Sequence, residues 1–147
     1  MVEQTEELLA SIPFSTVFHN SMDPVLLVSK GRFIECNQAA ITIMKASTRE
    51  DIIGRRPTDL SPEYQPDGEL SRDKASRAAG EATQSATHRF EWVHQDMNGE
   101  ALWVEVTLTK TQGYTSSPLV VTWRDLAPAR KAEEELRASR ELPTRTF

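Results

Sequence analysis

The sequence predicts an α+β fold: one five-stranded antiparallel sheet with helices on one face, flanked by an N-terminal and a C-terminal helix. Three observations predict it. Two short β-rich runs surround Ser29-Lys30-Gly31, two long period-two runs surround Asn98-Gly99, and a helical, proline-broken stretch separates the pairs. The chain of 147 residues has room for one ordinary core and not for two full domains. It divides into an N-terminal helical cap (1–22), an α+β unit (23–126) and a C-terminal helix (127–147).

Each element has a local reason. Residues 3–12 begin with acids and place Leu8, Leu9 and Ile12 at helical spacing before Pro13. Residues 14–22 suit a further helical turn, and Asp23-Pro24 marks the boundary before a strand. "VLLVSKGRFIECN" reads as a hairpin turning at Lys30-Gly31. Asn37 can cap the helix-like "QAAITIMKA", and Thr48 precedes a short helix that ends at Gly54. Three prolines make residues 55–69 mostly loop, with at most a helical turn after Thr58. A helix is expected from about Ser71 to Ala79, stopped by Gly80. "RFEWVHQ" and "ALWVEVTLT" then form a long hairpin in which Gly99 supplies positive φ, and "PLVVTW" is the last strand. Asp125 caps a charged helix starting at Pro128.

Composition excludes several function classes. Hydrophobic residues are 38% and charged ones 27%, and no apolar run approaches the roughly 18 residues of a membrane span. A formal charge of -5 argues against a general nucleic-acid surface. Cys36 is the only cysteine, so an internal disulfide framework is excluded, and the N-terminus lacks a signal-peptide pattern. The expected setting is cytoplasmic, without membrane contact by this segment.

Strand alternation sorts the candidate site. Phe90, Trp92 and His94 share one face, as do Val104, Val106 and Leu108 on the next strand and Val121 and Trp123 on the last. Taken as inward, these faces line a cavity to which the first hairpin adds Leu26, Val28, Ile34 and Cys36. The opposite face carries Glu91, Val93, Trp103, Glu105 and Thr107, a mixed surface that the N-terminal helix or a second subunit could cover, and an exposed Trp103 beside Val93 suggests such a partner. His94 reads either as a hydrogen-bonded core histidine or as a ligand or pH-sensing group. Cys36 reads as a small buried hydrophobe and Asn37 as a structural cap.

In this order and spacing, "DPVLLVSKGRFIECNQAAITIM", "DIIGRRPTDLSPEYQPDG", "HRFEWVHQDMNGEALWVEVTLT" and "VVTWRDLAPARKAEEELR" resemble a PAS domain over about residues 14–137. The closing "RDL" with Arg130-Lys131 is similar to the family's Asp-(Ile/Leu)-Thr-x-Arg-Lys ending, with Ala127-Pro128 in place of Thr-x. The resemblance implies a sensory module that holds a small molecule between sheet and helices, or only dimerises. It implies transmission through the C-terminal helix to a covalently linked effector, as in bacterial histidine kinases, diguanylate cyclases and chemoreceptors. A homodimer is expected, with Leu8, Leu9, Ile12, Trp103, Glu105 and Leu136 on the dimer or signalling surface.

Cofactors are tested through the same resemblance. The light-sensing branch needs an asparagine-cysteine pair in the helical loop, and residues 54–68 contain no cysteine, so a photoreactive flavin is disfavoured. Haem-binding members need an axial histidine in the middle helices, and residues 49–87 have none, so haem is disfavoured unless His88 or His94 serves. No metal is expected, because His19, His88 and His94 are not set at ligand spacing with other donors. No catalysis is expected either: His94 and Glu91 have opposite strand parity, and no nucleophile elbow, phosphate loop or dinucleotide fingerprint is present. Two readings remain, a ligand-responsive sensor and a ligand-free dimerisation module.

Overall fold

The computed structural model describes residues 13–111 and 118–141. The predicted helix over 3–12, with Leu8, Leu9 and Ile12, lies outside them. After Pro13, helix α1 (Phe14–Asn20) leads to the hairpin of β1 (Val25–Ser29) and β2 (Arg32–Cys36). Lys30 and Gly31 have φ of 52° and 76°, the paired positive values that a two-residue turn of this hand requires. Helix α2 (Gln38–Ile43) follows, then 3-10 turns at Arg49–Asp51 and Pro57–Leu60. Helix α3 (Ser71–Ser85) crosses to the long hairpin of β3 (Thr87–Gln95) and β4 (Ala101–Lys110). Strand β5 (Leu119–Asp125) and helix α4 (Ala127–Glu141) close the described chain.

The sheet order is β2-β1-β5-β4-β3, with every neighbouring pair antiparallel. The chain therefore leaves the sheet at one edge strand, β2, and re-enters at the other, β3. The helices between them cover one face, and one core cluster joins Leu26, Phe33, Met44 and Ile52 to Trp92, Val104 and Trp123. The last strand, β5, returns to the centre between β1 and β4.

Helix α3 runs six residues past the expected stop at Ala79. Gly80 weakens a helix by about 1 kcal/mol relative to alanine, but Ala78 and Ala82 on either side of it are both buried in the core. Packing outweighs the local propensity. The segment expected as a helix after Thr48 is instead a single 3-10 turn, capped by the Asp51 carboxylate, which accepts from the backbone of Ser47 (2.9 Å) and Thr48 (3.2 Å).

The largest departure is in β2. Leu27 pairs with Glu35 while Val28 pairs with Phe33, so Ile34 is an extra residue opposite the β1 register. Such a bulge reverses side-chain parity: Phe33 is 1% exposed in the core, and Ile34, expected inward, is 44% exposed. The bulge is held from the other side by the loop after the first 3-10 turn. Phe33 N–H donates to the Arg55 carbonyl (2.9 Å) and Gly54 N–H donates to the Phe33 carbonyl (2.8 Å).

Asn37 ties three elements together. Its Oδ1 accepts from Ala40 N–H (3.1 Å) at the start of α2 and from Val25 N–H (3.0 Å). Its Nδ2 donates to the carbonyls of Phe18 (3.0 Å) and Asp23 (2.9 Å). The cap expected from sequence is thus also the clasp between α1 and the first hairpin. Asn37→Ala would orphan four backbone groups, some of which reach water, and is expected to lower stability by about 2–3 kcal/mol in urea unfolding. A loss under about 0.5 kcal/mol would show that these bonds are replaced without penalty.

Helix α4 begins where Asp125 Oδ1 accepts from Ala127 N–H (2.9 Å). It is anchored to the sheet's other face: Leu126 N–H donates to the Trp103 carbonyl (3.0 Å), and the Arg130 guanidinium stacks 3.8 Å above the Trp103 ring. Trp103, expected to await a partner, is half-buried under its own chain. No helix among the described residues is long and apolar enough to cross a membrane.

Candidate functional site

A cavity of about 430 Å³ lies between the sheet and the helices, within the size range of small-molecule sites. Its floor is the sheet: Val28 and Phe33 from the first hairpin, Phe90, Trp92 and His94 from β3, Val106 and Leu108 from β4, and Leu119, Val121 and Trp123 from β5. Ala75 and Ala79, one turn apart on α3, form the roof, and Pro57 and Thr58 form one side. Arg56, Arg72 and Ser76, all exposed, bring solvent-facing groups to its edge.

Seven of the eleven predicted lining residues bound this cavity: Val28, Phe90, Trp92, His94, Val106, Val121 and Trp123. Four do not. Ile34 points outward because of the bulge. Leu26 and Cys36 pair with one another where the hairpin runs into α2, and Ala40 and Met44, both fully buried, fill that end. Val104 is fully buried opposite Trp92, and it joins the core without reaching the cavity. Phe33 was missed because the bulge inverted the parity. Ala75 and Ala79 had a signal, the small-residue spacing of the alanine-rich stretch; Arg56, Pro57 and Thr58 lie in irregular backbone that has no periodicity to read.

The closed end of the cavity is organised by Ser61, which sequence reasoning also missed. Trp92 Nε1–H donates to Ser61 Oγ (2.9 Å), and the Ser61 hydroxyl donates to the Pro57 carbonyl (2.7 Å). His94 Nδ1 stands 3.0 Å from Ser61 Oγ and 3.1 Å from the Leu60 carbonyl. The hydroxyl has one proton and gives it to Pro57, and a carbonyl only accepts. His94 Nδ1 therefore carries the proton, and Nε2 is the ring's free acceptor. Burial holds the imidazole neutral, lowering its pKa to about 4, against a smaller opposing effect of the Leu60 hydrogen bond. The His94 ring also packs 4.6 Å from Trp123, centroid to centroid.

Gln65 performs a similar service at the sheet edge. Its side chain accepts from Val93 N–H (2.8 Å) and donates to the Val93 carbonyl (3.0 Å) and to Ser71 Oγ (2.9 Å), so the loop pairs with β3 as a strand would. The loop that carries Ser61 is thereby fixed against the floor.

Burial pushes the Cys36 thiol up to about 11, with Glu35 adding to the shift. Glu35 itself is held below its usual range by a bidentate ion pair with Arg49 (2.8 and 2.9 Å). Among the described residues, no three histidine, cysteine or acidic side chains are grouped to hold a metal.

Comparison with known proteins agrees with this fold. The chain is 23% identical over 130 residues to sporulation kinase A of Bacillus subtilis, covering 88% of this chain and 21% of the kinase; it spans about a fifth of that relative's length. Among solved structures, the PAS domain of a LuxR-family transcriptional regulator from Burkholderia thailandensis, in complex with ethanol, superposes with a TM-score of 0.63 at 22% identity, covering 79% of this chain and 99% of that one. The PAS domain of nitrogen regulation protein NR(II) from Vibrio parahaemolyticus gives 0.59 at 16% identity, covering 76% of this chain and 95% of that one. The family model described as PAS domain matches residues 22–127, most of the 147, and the chain belongs to the PAS domain family.

Proposed function

We propose that this PAS domain is a non-catalytic sensory module that binds a small molecule in the cavity and passes a conformational change through α4 to an effector domain. The observation that carries the reading is the position of β5. This strand contributes Val121 and Trp123 to the cavity floor and ends at Asp125, whose side chain starts α4. A ligand that displaces Trp123 thus acts on the strand from which the exit helix departs. The Trp103–Arg130 stack and Leu126 hold that helix to the opposite face, giving it a docked state that a ligand can favour or oppose. The kinase relative makes a kinase the favoured class of effector, in a cytoplasmic signalling protein.

A second reading, a ligand-free homodimerisation module, is favoured by exposed apolar side chains on the flanking helices. Phe14 and Val17 of α1 and Leu136 of α4 are each more than half exposed. Native mass spectrometry of the protein as purified from cells separates the two. A bound mass that His94→Gln loses while keeping its melting profile, with changed hydrogen exchange in α4, is the expected result. An apo dimer, with α4 exchange indifferent to every compound tested, would sink the sensor reading in favour of the second.

A further inference from the structure

We propose that the cavity's ligand is a monoanionic amphiphile, with an apolar body of roughly a dozen non-hydrogen atoms along the sheet and a carboxylate at the mouth, where Arg56 and Arg72 stand. The proposal rests on the sensor reading above and names the chemical class it would take. Three observations lead to it. First, at about 30 Å³ per water-sized group, a cavity of about 430 Å³ accepts an unbranched chain of medium length. Its floor of Phe33, Phe90, Val106, Leu119 and Trp123 offers such a chain only apolar and aromatic contact.

Second, the charge at the cavity is opposite to that of the molecule. The chain has a formal charge of -5, yet the cavity wall carries two arginines and, among the described residues, no aspartate or glutamate. Arg56 takes part in no ion pair among the described residues; Asp59 binds its backbone N–H (2.9 Å), not its guanidinium. Arg72 has only the neighbouring Asp73 carboxylate at 3.9 Å, and both side chains are well exposed. Two weakly engaged guanidinium groups present the planar donor fork that a carboxylate accepts.

Third, the closed end gives the ligand a direction. His94 there is neutral and holds its proton on Nδ1 toward Leu60, so no positive charge offsets the desolvation of an anion. The acid group stays at the mouth and the chain end approaches Trp92 and His94.

The test is isothermal titration calorimetry of the whole chain with octanoate and with 1-octanol, a pair that differs in charge at nearly equal size. Titrations are run at pH 7 and low ionic strength, below micelle formation, on wild type and on R56Q/R72Q. The expected result is octanoate binding at least tenfold tighter than the alcohol. That advantage should disappear in the double variant and weaken with added salt, while octanol affinity is unchanged. Equal binding of acid and alcohol, unaffected by the double variant, would overturn the anionic assignment and leave the sensor reading standing. Loss of both ligands in a variant that melts like wild type would also overturn it, by making the arginines structural. Binding of neither compound to wild type would overturn the amphiphile assignment, and the sensor reading would then rest on the native mass spectrum and the exchange of α4.

Discussion

Trp123→Ala is expected to lower the unfolding free energy by about 3 kcal/mol, with a fall in Tm of roughly 10 °C for a chain of this length. The indole is 1% exposed, packs edge-on against Phe33 at 6.1 Å and tilts against His94 at 4.6 Å. A fully enclosed tryptophan truncated to alanine costs about 3–5 kcal/mol, the upper part coming from the void left behind. Here the void merges with a cavity that already borders the indole and opens to solvent. The lost transfer energy therefore dominates and the lower figure applies. Trp103→Ala is the internal comparison. That indole is half-buried, and its removal sacrifices an Arg130 stack worth about 1 kcal/mol at a partly exposed site. Guanidinium unfolding of both variants checks the order; a Trp123→Ala loss no larger than that of Trp103→Ala would refute the placement of Trp123 in the core.

The fold was legible because its punctuation is local. Lys30-Gly31 and Asn98-Gly99 set two hairpins, Asn37 and Asp125 start two helices, and period-two alternation over residues 90–108 separates the sheet's faces without reference to anything distant. The candidate site was legible where the same alternation persists, which accounts for Phe90, Trp92, His94, Val106, Val121 and Trp123. It failed where one residue interrupts the ladder. The bulge at Ile34 is held by Gly54 and Arg55, about twenty positions away, and nothing within "GRFIEC" signals that pairing. Helix α3 outran Gly80 for a related reason: burial of Ala78 and Ala82 is a property of the packed molecule, not of the segment. The hydrogen bonds of Ser61 and Gln65 belong to the same class. Each polar side chain sits in a proline-rich loop that offers no periodicity, and each finds its partner on β3 about thirty residues later. Contacts made at long range by irregular backbone leave little trace in local pattern.

Acidification between pH 6.5 and about 4 is expected to destabilise the protein progressively, by about 3 kcal/mol in total, and His94→Gln is expected to remove most of that slope. In the folded state burial lowers the His94 pKa to about 4, whereas the unfolded chain returns it to the ordinary value near 6.5. Between those limits the unfolded state binds the extra proton, so stability is fully present above pH 6.5 and is lost as pH falls toward 4. Geometry makes this loss hard to evade. Protonated His94 would carry a second N–H on Nε2, which has no hydrogen-bond partner among the described residues, while Nδ1 already serves Leu60 and Ser61. Carboxylates with altered titration act in a separate window. Asp96 is lowered in spite of its burial by the N–H groups of Glu100 and Asn98 and by Lys45, and Glu35 is lowered by Arg49. Their stabilisation is present above the ordinary carboxylate pKa values, near 4, and is lost only as pH falls through the lower folded values. The interval from pH 6.5 to 5 thus isolates the imidazole from these pairs. Urea unfolding of wild type and His94→Gln at half-unit steps across that interval is the measurement. Parallel pH slopes in the two proteins would mean that His94 reaches its proton in the folded state, and that the closed end of the cavity is wetter and more polar than its packing implies.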